Sequence, residues 1–341
     1  MPKRFLGNIM TDAPTAPAGP YENGAASGVW SLSEALSYTK GGLWPIAGNA
    51  VQNAFFAGGY NGGNIQQIDK IDITTTGNSI DFGDLSQDEY LGGSSSSSTR
   101  AIIGGGDDTN TNIIYFTMSS GGATGAFGNL SQKAGSLAGA SNSTRGLMLG
   151  GFAFINQNVW LNNIQYVTIA TTGNSVDFGD LTVARSQNTA TANATRAVCA
   201  GGNAGGNPYN IMDYVTISST GNALDFGDLL TGTYRTSGAA SSTRGVFAGG
   251  GTPSNTNVIQ YITLSSTGNA VDFGDLTVAR NRLGGTSGTT RSVFGGGTGG
   301  TNVIDYITTA TTANAVDFGD LAQAREYATQ TASTAHGGIA A

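Results

Sequence analysis

Apolar and polar residues alternate over short stretches of this chain, without the spacing of an amphipathic helix after residue 45. In the clearest unit, residues 303–308 (Val-Ile-Asp-Tyr-Ile-Thr) show the two-residue period of a half-buried strand. Four such runs follow one another between residues 283 and 321, separated by glycines or a Thr-Thr-Ala-Asn turn. The pattern therefore predicts a unit of four short strands, which is one antiparallel sheet.

The unit recurs along the chain, marked by the pentapeptide Asp-Phe-Gly-Asp-Leu and its variants. Its phenylalanines are spaced by 45, 51, 48, 47 and 45 residues: Phe82, Phe127, Phe178, Phe226, Phe273 and Phe318. Isolated sheets this poor in large apolar residues would be unstable, so we expect them to pack face to face around an axis. Runs of Gly, Ser, Thr and Ala suit the crowded strands at that axis. The chain is predicted to be an all-β propeller of four-stranded blades.

The number of blades is ambiguous. Six copies of the outer half of the unit are present, but the inner half occurs seven times, first at residues 53–59 and last at residues 327–341. The C-terminal run either closes a six-bladed ring beside the first blade or forms the inner half of a seventh blade, completed by the N-terminal arm. Both arrangements join the two ends of the repeat array and remove open sheet edges.

Residues 1–45 lie outside the repeats, and we predict that they form an arm distinct from a propeller at 46–341. The arm has prolines typical of an extended linker, followed by a capping-box pair, Ser31 and Glu34, that predicts a short helix over 32–38. Three large apolar side chains must be buried against the propeller or another protein. These candidate docking residues are Trp30, Leu36 and Trp44.

Composition limits the partners of this protein. Asp, Glu, Lys and Arg make up 11% of the chain, against about 25% in a typical protein, and the net charge is −7. A basic footprint for nucleic acid or an anionic membrane is therefore not expected. No run approaches 18 apolar residues, and residues 1–6 precede no signal-like apolar stretch, so we expect neither membrane insertion nor secretion by a signal peptide.

The residues for catalysis or metal binding are few. Cys199 is the single cysteine and His336 the single histidine, and His336 occupies the position of a repeated arginine. We predict a protein that is not an enzyme and has no cofactor or metal. The Asp-Phe-Gly-Asp carboxylates lack the spacing of a calcium loop. Paired carboxylates for glycoside cleavage stay open, because four acidic residues are not repeated: Asp88, Glu89, Asp107 and Asp108.

Charges that recur in every unit favour a structural role. The planar fork of arginine can bind carboxylates or carbonyls between neighbouring sheets. The recurring arginines are Arg100, Arg145, Arg196, Arg244 and Arg291. The six phenylalanines also recur in every unit, so we expect them to have a structural role, buried between sheets.

A binding site is expected where the repeats disagree. The second copy departs most, at residues 125–130, and an insertion lengthens the third unit. Its candidate ligand residues are Phe152, Phe154, Asn156, Asn158, Trp160 and Asn162. Exposed aromatic rings beside asparagines are typical of a sugar-binding platform. The alternative, which we favour, is that these residues pack on the N-terminal arm or a neighbouring subunit.

The order of features within one unit resembles the kelch repeat. A small-residue strand precedes a glycine doublet (Gly201-Gly202, Gly249-Gly250 and Gly295-Gly296), then a tyrosine strand (Tyr166, Tyr214, Tyr261 and Tyr306), then Phe-Gly-Asp-Leu in place of Trp-x-x-Leu. Arg185, Arg280 and Arg325 take the place of the inter-blade arginine, with Arg235 close by. The resemblance implies a kelch-like propeller. Phenylalanine replaces tryptophan in every copy, which weakens the transfer of any specific kelch activity.

A narrower resemblance rests on Gly28-Val29-Trp30-Ser31-Leu32, Trp44-Pro45 and the Thr-Gly-Asn-Ala-Val-Asp-Phe-Gly-Asp-Leu units. These are similar to virion structural proteins of tailed bacteriophages, particularly those of marine and cyanobacterial hosts. The resemblance implies a fibre, knob or decoration component, assembled in the host cytoplasm as a homo-oligomer or in multiple copies. Its arm would bind other virion proteins, and its loops would meet host-surface polysaccharide. The alternative is a cellular kelch-like module for protein–protein interaction.

Overall fold

The computed structural model describes residues 4–6, 9–11, 51–88, 90–106, 111–120, 124–153, 159–327 and 330–335. The chain divides into two compact units, Met1–Gln52 and Asn53–Ala341. In the first unit, β1 (Arg4–Leu6) pairs antiparallel with β2 (Ile9–Thr11). The predicted helix over 32–38 and the docking residues Trp30, Leu36 and Trp44 lie outside the described residues.

The second unit is a β-propeller of six four-stranded antiparallel sheets. Blades are numbered in chain order, and the strands of each are given from the axis outward. Blade 1 comprises β32 (Gln330–Ser333), β3 (Asn53–Ala57), β4 (Gln67–Asp72) and β5 (Ile80–Asp84). Blade 2 comprises β6 (Gly93–Ser96), β7 (Arg100–Gly104), β8 (Asn112–Thr117) and β9 (Gly125–Asn129). Blade 3 comprises β10 (Ala138–Ser141), β11 (Arg145–Leu149), β14 (Asn163–Thr168) and β15 (Val176–Asp180).

The remaining blades repeat this order. Blade 4 comprises β16 (Thr189–Ala192), β17 (Arg196–Ala200), β20 (Ile211–Thr216) and β21 (Leu224–Asp228). Blade 5 comprises β22 (Ser237–Ala240), β23 (Arg244–Ala248), β26 (Val258–Thr263) and β27 (Val271–Asp275). Blade 6 comprises β28 (Gly284–Ser287), β29 (Arg291–Gly295), β30 (Val303–Thr308) and β31 (Val316–Asp320).

Within the described residues, three blades carry a short hairpin between their second and third strands. These are β12–β13 (Phe152–Ala153 and Val159–Trp160), β18–β19 (Asn203–Ala204 and Asn207–Pro208) and β24–β25 (Gly251–Thr252 and Ser254–Asn255). The described residues include no helix long and apolar enough to cross a membrane.

The C-terminal strand decides the number of blades. β32 pairs with β3, with Ala54 opposite Ser333 and Ala57 opposite Gln330. The C-terminal run is therefore the innermost strand of blade 1, and the seven-bladed alternative is wrong. Each innermost strand contacts those of its two neighbours, so the ring is closed. Pairing the first and last strands removes two unpaired edges that a linear array would expose.

Small residues line the axis because neighbouring inner strands approach closely. A Cβ on Gly139 of β10 would collide with the backbone of Ser94 on β6. The second strand of each blade is almost entirely buried, as in β23, where Val246 and Phe247 have no exposed surface. The larger apolar side chains fill the space between adjacent blades, in clusters that each combine residues from two sheets.

The Asp-Phe-Gly-Asp motif forms the joint between blades. Phe273 of blade 5 is buried against Tyr261, with ring centroids 5.8 Å apart. Gly274 has φ +145°, and a Cβ there would lie 2.5 Å from the carbonyl oxygen of Ala313 in blade 6. Asp275 accepts a backbone hydrogen bond from Ala315 at 2.7 Å. Glycine is therefore required where the turn of the next blade crosses the outermost strand.

Asparagine completes the same joint, since its side-chain oxygen accepts a hydrogen bond from the backbone N–H that follows the motif's glycine. The donor and acceptor pairs are Asn129–Asn174, Asp180–Asn222, Asp228–Asn269, Asp275–Asn314 and Asp320–Asn78, all at 3.0–3.1 Å. The last pair joins blade 6 to blade 1. The recurrence of Asn in the Thr-Gly-Asn turns thus follows from packing between blades.

Candidate ligand-binding face

The arginine that begins the second strand of five blades holds adjacent blades together. Each guanidinium lies 4.4–4.7 Å from the ring of the tyrosine on the third strand. Each also donates through Nη1 to a backbone carbonyl of the next blade, at 2.9–3.2 Å. The pairs are Arg100–Ile169, Arg145–Ile217, Arg196–Leu264, Arg244–Thr309 and Arg291–Ile73.

A second set of arginines lies buried in the connections that lead into the innermost strands. Arg185, Arg280 and Arg325 form ion pairs with carboxylates on third strands, in the pairs Arg185–Asp213 (2.8 Å), Arg280–Asp305 (2.9 Å) and Arg325–Asp69 (3.2 Å). Burial raises the pKa of Asp69 although Arg325 acts in the opposite direction, and burial lowers the pKa of Arg325. Each pair ties the connection to the blade that follows it.

Arg235 lies close to this second set but does not belong to it. Arg235 lies two positions beyond the ion-pair position, which Thr233 occupies in blade 5. Its blade carries Gln260 in place of the paired aspartate, and Gln260 accepts a hydrogen bond from the Leu230 N–H at 2.8 Å. Arg235 therefore takes no part in a buried ion pair of this kind.

Six residues with left-handed backbone encircle the axis where the innermost strands begin. They have φ of 55–66° and are spaced as the phenylalanines are: Leu91, Ser136, Gln187, Arg235, Arg282 and Tyr327. Ser136, Gln187, Arg235 and Arg282 each donate their N–H to the carbonyl of the preceding member, at 2.7–3.0 Å. Non-glycine residues rarely adopt this backbone, and here the hydrogen-bonded ring fixes it.

Gln330 completes this ring where the two ends of the array meet. When its side-chain amide is oriented so that both the oxygen and the nitrogen have hydrogen-bond partners, Gln330 donates to the Tyr327 carbonyl at 3.2 Å and accepts from the Leu91 N–H at 3.2 Å. Below the ring, the channel is a cavity of about 130 Å³ lined by small and hydroxyl-bearing residues of the inner strands. This lining is similar in every blade and offers little to distinguish one ligand from another.

The side chains of the ring differ from blade to blade, unlike the backbone that carries them. Consecutive blades 5, 6 and 1 contribute Arg235, Arg282 and Tyr327, whereas blades 2, 3 and 4 contribute Leu91, Ser136 and Gln187. The first three, with their neighbours, form a group that we call the mouth cluster. It consists of Tyr60, Tyr90, Tyr234, Arg235, Arg282, Glu326 and Tyr327.

Tyr327 is the centre of the mouth cluster. The guanidinium carbons of Arg282 and Arg235 lie 4.5 and 5.9 Å from its ring centroid. Its ring also lies 6.0 Å from that of Tyr90. Arg282 Nη1 pairs with Glu326 Oε2 at 2.8 Å, and both side chains are partly exposed. Charged and aromatic groups therefore converge at one end of the channel.

Two further tyrosines extend the mouth cluster outward. Tyr234 lies 5.3 Å from the guanidinium of Arg235, and Tyr60, which is 36% exposed, lies 6.1 Å from Tyr90. Tyr60 also pairs by its backbone with Glu326. Tyr60 lies in the loop between the second and third strands of blade 1, whereas Tyr234 lies in the connection between blades 4 and 5. Loops within a blade and connections between blades therefore contribute to the same face.

The predicted sugar platform lies on this face, in the hairpin β12–β13. The rings of Phe152 and Trp160 are in edge contact at 5.4 Å, and Phe152 pairs by its backbone with Gly135. Asn162 is exposed and accepts a backbone hydrogen bond from Leu181 at 2.7 Å. Phe154, Asn156 and Asn158 lie outside the described residues.

The residues considered for catalysis are not brought together within the described part of the chain. Asp88 is exposed and accepts a hydrogen bond from Gln66 at 2.9 Å. Glu89, Asp107, Asp108 and His336 lie outside the described residues. Cys199 is fully buried in blade 4, and burial raises the pKa of its thiol. The described residues include no group of three or more metal-ligating side chains.

Sequence reasoning missed the mouth cluster. Arg235 and Arg282 stand next to motif residues, and the four tyrosines are far apart in the chain. The sequence does show that the residue type two positions after the ion-pair arginine differs among the six copies. This difference identifies a variable position, but only the ring closure shows that blades 5, 6 and 1 are adjacent.

Comparisons with known proteins agree with the architecture. No protein-family model matches the chain, and no curated protein matches it. Among solved structures, the chain is similar to "Structure of YjhT", with a TM-score of 0.58 and 10% identity, over 70% of this chain and 86% of that one. At this identity the likeness shows the fold alone. The protein is a six-bladed β-propeller, in which four-stranded sheets are arranged radially around a central channel.

Proposed function

We propose that this protein is a non-enzymatic structural component of a phage virion that binds host-surface glycan through the face carrying the mouth cluster. One observation supports the binding part of this proposal. Charged and aromatic side chains that differ from blade to blade lie together at one end of an otherwise regular ring. The repeated arginines and aspartates are used in contacts within and between blades. The mouth cluster, by contrast, combines charged and aromatic side chains that are not repeated from blade to blade.

The chemistry of the mouth cluster suits binding better than catalysis. Glycoside cleavage uses two carboxyl groups on either side of the scissile bond. Glu326 is the one carboxylate that the described residues supply to the cluster, and it is paired with Arg282. Tyrosine rings, by contrast, offer planar apolar faces with a hydroxyl at the rim, which suits a sugar ring.

The virion part of the proposal is supported by the resemblance of the Gly28–Leu32 and Trp44-Pro45 segments and the repeat units to phage structural proteins. In this proposal, residues 1–45 bind other virion proteins and several copies of the propeller are displayed on each particle. The fold is equally compatible with a cellular kelch-like module, which would bind a protein across the same face.

The test separates attachment from recognition. Full-length protein and a variant lacking residues 1–45 are co-expressed with particle components, and incorporation is measured in purified particles. The shortened variant should keep a cooperative thermal transition but be absent from particles. Incorporation of the shortened variant would overturn the docking role of the arm, and absence of the full-length chain from particles would favour the cellular module.

Recognition is tested with the full-length protein alone. Its binding to immobilised polysaccharide extracted from host cell surfaces should saturate, and soluble polysaccharide should compete. A Tyr327→Ala variant should lose this binding while a Tyr306→Ala variant, altered at a repeated structural tyrosine, keeps it. A failure of the full-length protein to bind any such polysaccharide would overturn the glycan part of the proposal.

A further inference from the structure

Arg235 is exceptional among the arginines of the propeller. In the described residues, the other arginines of the six blades donate side-chain hydrogen bonds to backbone carbonyls or to carboxylates. Arg235 has no such partner there; its Nε is buried without an acceptor, as is the Nε of Arg185, Arg280 and Arg282. Glu326 attracts Arg235 through space, but no carboxylate accepts a hydrogen bond from its half-buried guanidinium, and this costs free energy that an anionic ligand would recover.

The position of Arg235 leaves its donors available. Its guanidinium lies 5.3 Å from the Tyr234 ring and 5.9 Å from the Tyr327 ring. Aromatic contacts of this kind use the faces of the guanidinium plane, whereas its N–H groups point outward from the edges. Burial lowers the pKa of Arg235, as expected for a cation that is withdrawn from water.

The charge balance of the mouth cluster indicates the charge of the ligand. The guanidinium groups of Arg235 and Arg282 share the carboxylate of Glu326, which pairs with Arg282 at 2.8 Å and also attracts Arg235. These three groups together carry one positive charge, on a protein whose net charge is −7. A singly charged carboxylate matches this balance, whereas a phosphate dianion would bring one negative charge too many. Arginine binds a carboxylate through two parallel N–H donors.

The tyrosines indicate what carries the carboxylate. Tyr60, Tyr90, Tyr234 and Tyr327 lie in one connected group whose successive ring contacts are 6.0 and 6.1 Å and whose other contacts pass through Arg235. Flat apolar faces edged by hydroxyl groups suit the alternating faces and hydroxyls of a pyranose.

We infer that the mouth cluster binds an acidic sugar, a pyranose that carries one carboxylate, with Arg235 as the residue that holds the carboxylate. This inference rests on the proposed glycan-binding function and names the class of glycan. The tyrosines contact the sugar ring, and the Arg282–Glu326 pair fixes Tyr327 in place beneath it.

The experiment measures binding of the full-length protein by titration calorimetry to three probes. These are a galacturonate tetrasaccharide, the same tetrasaccharide with its carboxyls reduced to alcohols, and tetraglutamate. We expect the acidic sugar to bind tightest, and Arg235→Gln to weaken its binding about 10- to 100-fold, as for loss of a charge-assisted pair. The melting temperature of each variant shows that it is folded.

Lys133→Gln is the matched control, because Lys133 is exposed in a connection on the same face but lies outside the mouth cluster. It removes the same charge and should leave the affinity unchanged. Equal binding of the acidic and reduced sugars, equal effects of the two substitutions, tighter binding of tetraglutamate, or no binding of the acidic sugar would each overturn the inference. None of these results alone overturns the proposed function, which is tested by binding to host polysaccharide.

Discussion

Arg280 and Asp305 form a buried ion pair at 2.9 Å in blade 6, at the two positions that Thr233 and Gln260 occupy in blade 5. Both partners of the pair are at most 2% exposed. Arginine and aspartate are thus present together or replaced together within one chain. Blade 3 follows the same rule, since Ala134 and Gln165 stand at these positions. An arginine without its aspartate would leave an uncompensated buried charge.

The ion pair yields a prediction about paired replacement. Asp305→Gln alone should lower the free energy of unfolding by about 3–5 kcal/mol, because Arg280 stays buried without its counter-ion. The double variant Arg280→Thr/Asp305→Gln copies the combination of blade 5 and should recover most of that loss. Urea unfolding of the wild type, both single variants and the double variant measures the coupling. Additive effects of the two substitutions would show that the pair has no special relationship.

The pH dependence of stability should reveal the burial of Asp69. Burial raises its pKa above the ordinary value of 3.8, despite the nearby Arg325. A raised pKa means that the folded state binds the proton more tightly, so this contribution to stability is present below pH 3.8 and lost as the pH rises through the folded-state pKa. The stability of the wild type relative to Asp69→Asn should therefore increase as the pH falls from neutral.

Urea unfolding at a series of pH values, for the wild type and Asp69→Asn, measures this difference. Asp88→Asn serves as the control, because it makes the same substitution at an exposed carboxylate outside the buried ion pairs. A stability difference at Asp69 that shrinks as the pH falls would mean that Arg325 outweighs burial.

The phenylalanine of the repeated motif should contribute to stability and not to recognition. Phe273 is 3% exposed, and its replacement by alanine should cost about 3–5 kcal/mol. The melting temperature should fall without loss of attachment to partners. Val271 on the same strand is 53% exposed, and Val271→Ala should have an effect of about 0.5 kcal/mol or less. An unchanged melting temperature for Phe273→Ala would contradict its place between blades.

The glycine that follows this phenylalanine should tolerate no side chain. In Gly274→Ala, the added Cβ would meet the backbone of Ala313 in the next blade, at a φ of +145°. We expect a loss of about 1–3 kcal/mol, from backbone strain and from separation of the two blades. Gly63→Ala is the control, because nothing lies within 4 Å of its Cβ position. Differential scanning calorimetry measures the melting temperatures of both variants. Equal melting temperatures would contradict the close contact between Gly274 and the next blade.

Much of the fold could be predicted from local patterns. The alternation in residues 303–308 is a property of one strand, and the spacing of the phenylalanines shows that one sheet recurs. The small residues of the inner strands predicted their place at the axis, because only short side chains fit between strands that nearly touch. The recurrence of these signals made the six copies easier to recognise than any one of them.

The sequence could not decide the blade number or the site. Whether Gln330–Ser333 begins a seventh sheet or pairs with Asn53–Ala57 depends on where two chain ends meet, and no local pattern records that distance. The roles of Arg185 and Arg235 diverge for the same reason. One side chain points into its own blade toward Asp213, while the other stands in the ring at the mouth of the channel.

The sequence by itself thus determined the repeating unit, because strands, turns and close-packed glycines are set by neighbouring residues. The tertiary structure decided which non-repeated side chains act together. Closing the ring places blades 5, 6 and 1 side by side, so Arg235 and Tyr60, 175 residues apart in the chain, become parts of one cluster. The candidate site therefore depends on closure of the ring, and the ring closes through a contact between strands at opposite ends of the repeat array, β3 and β32.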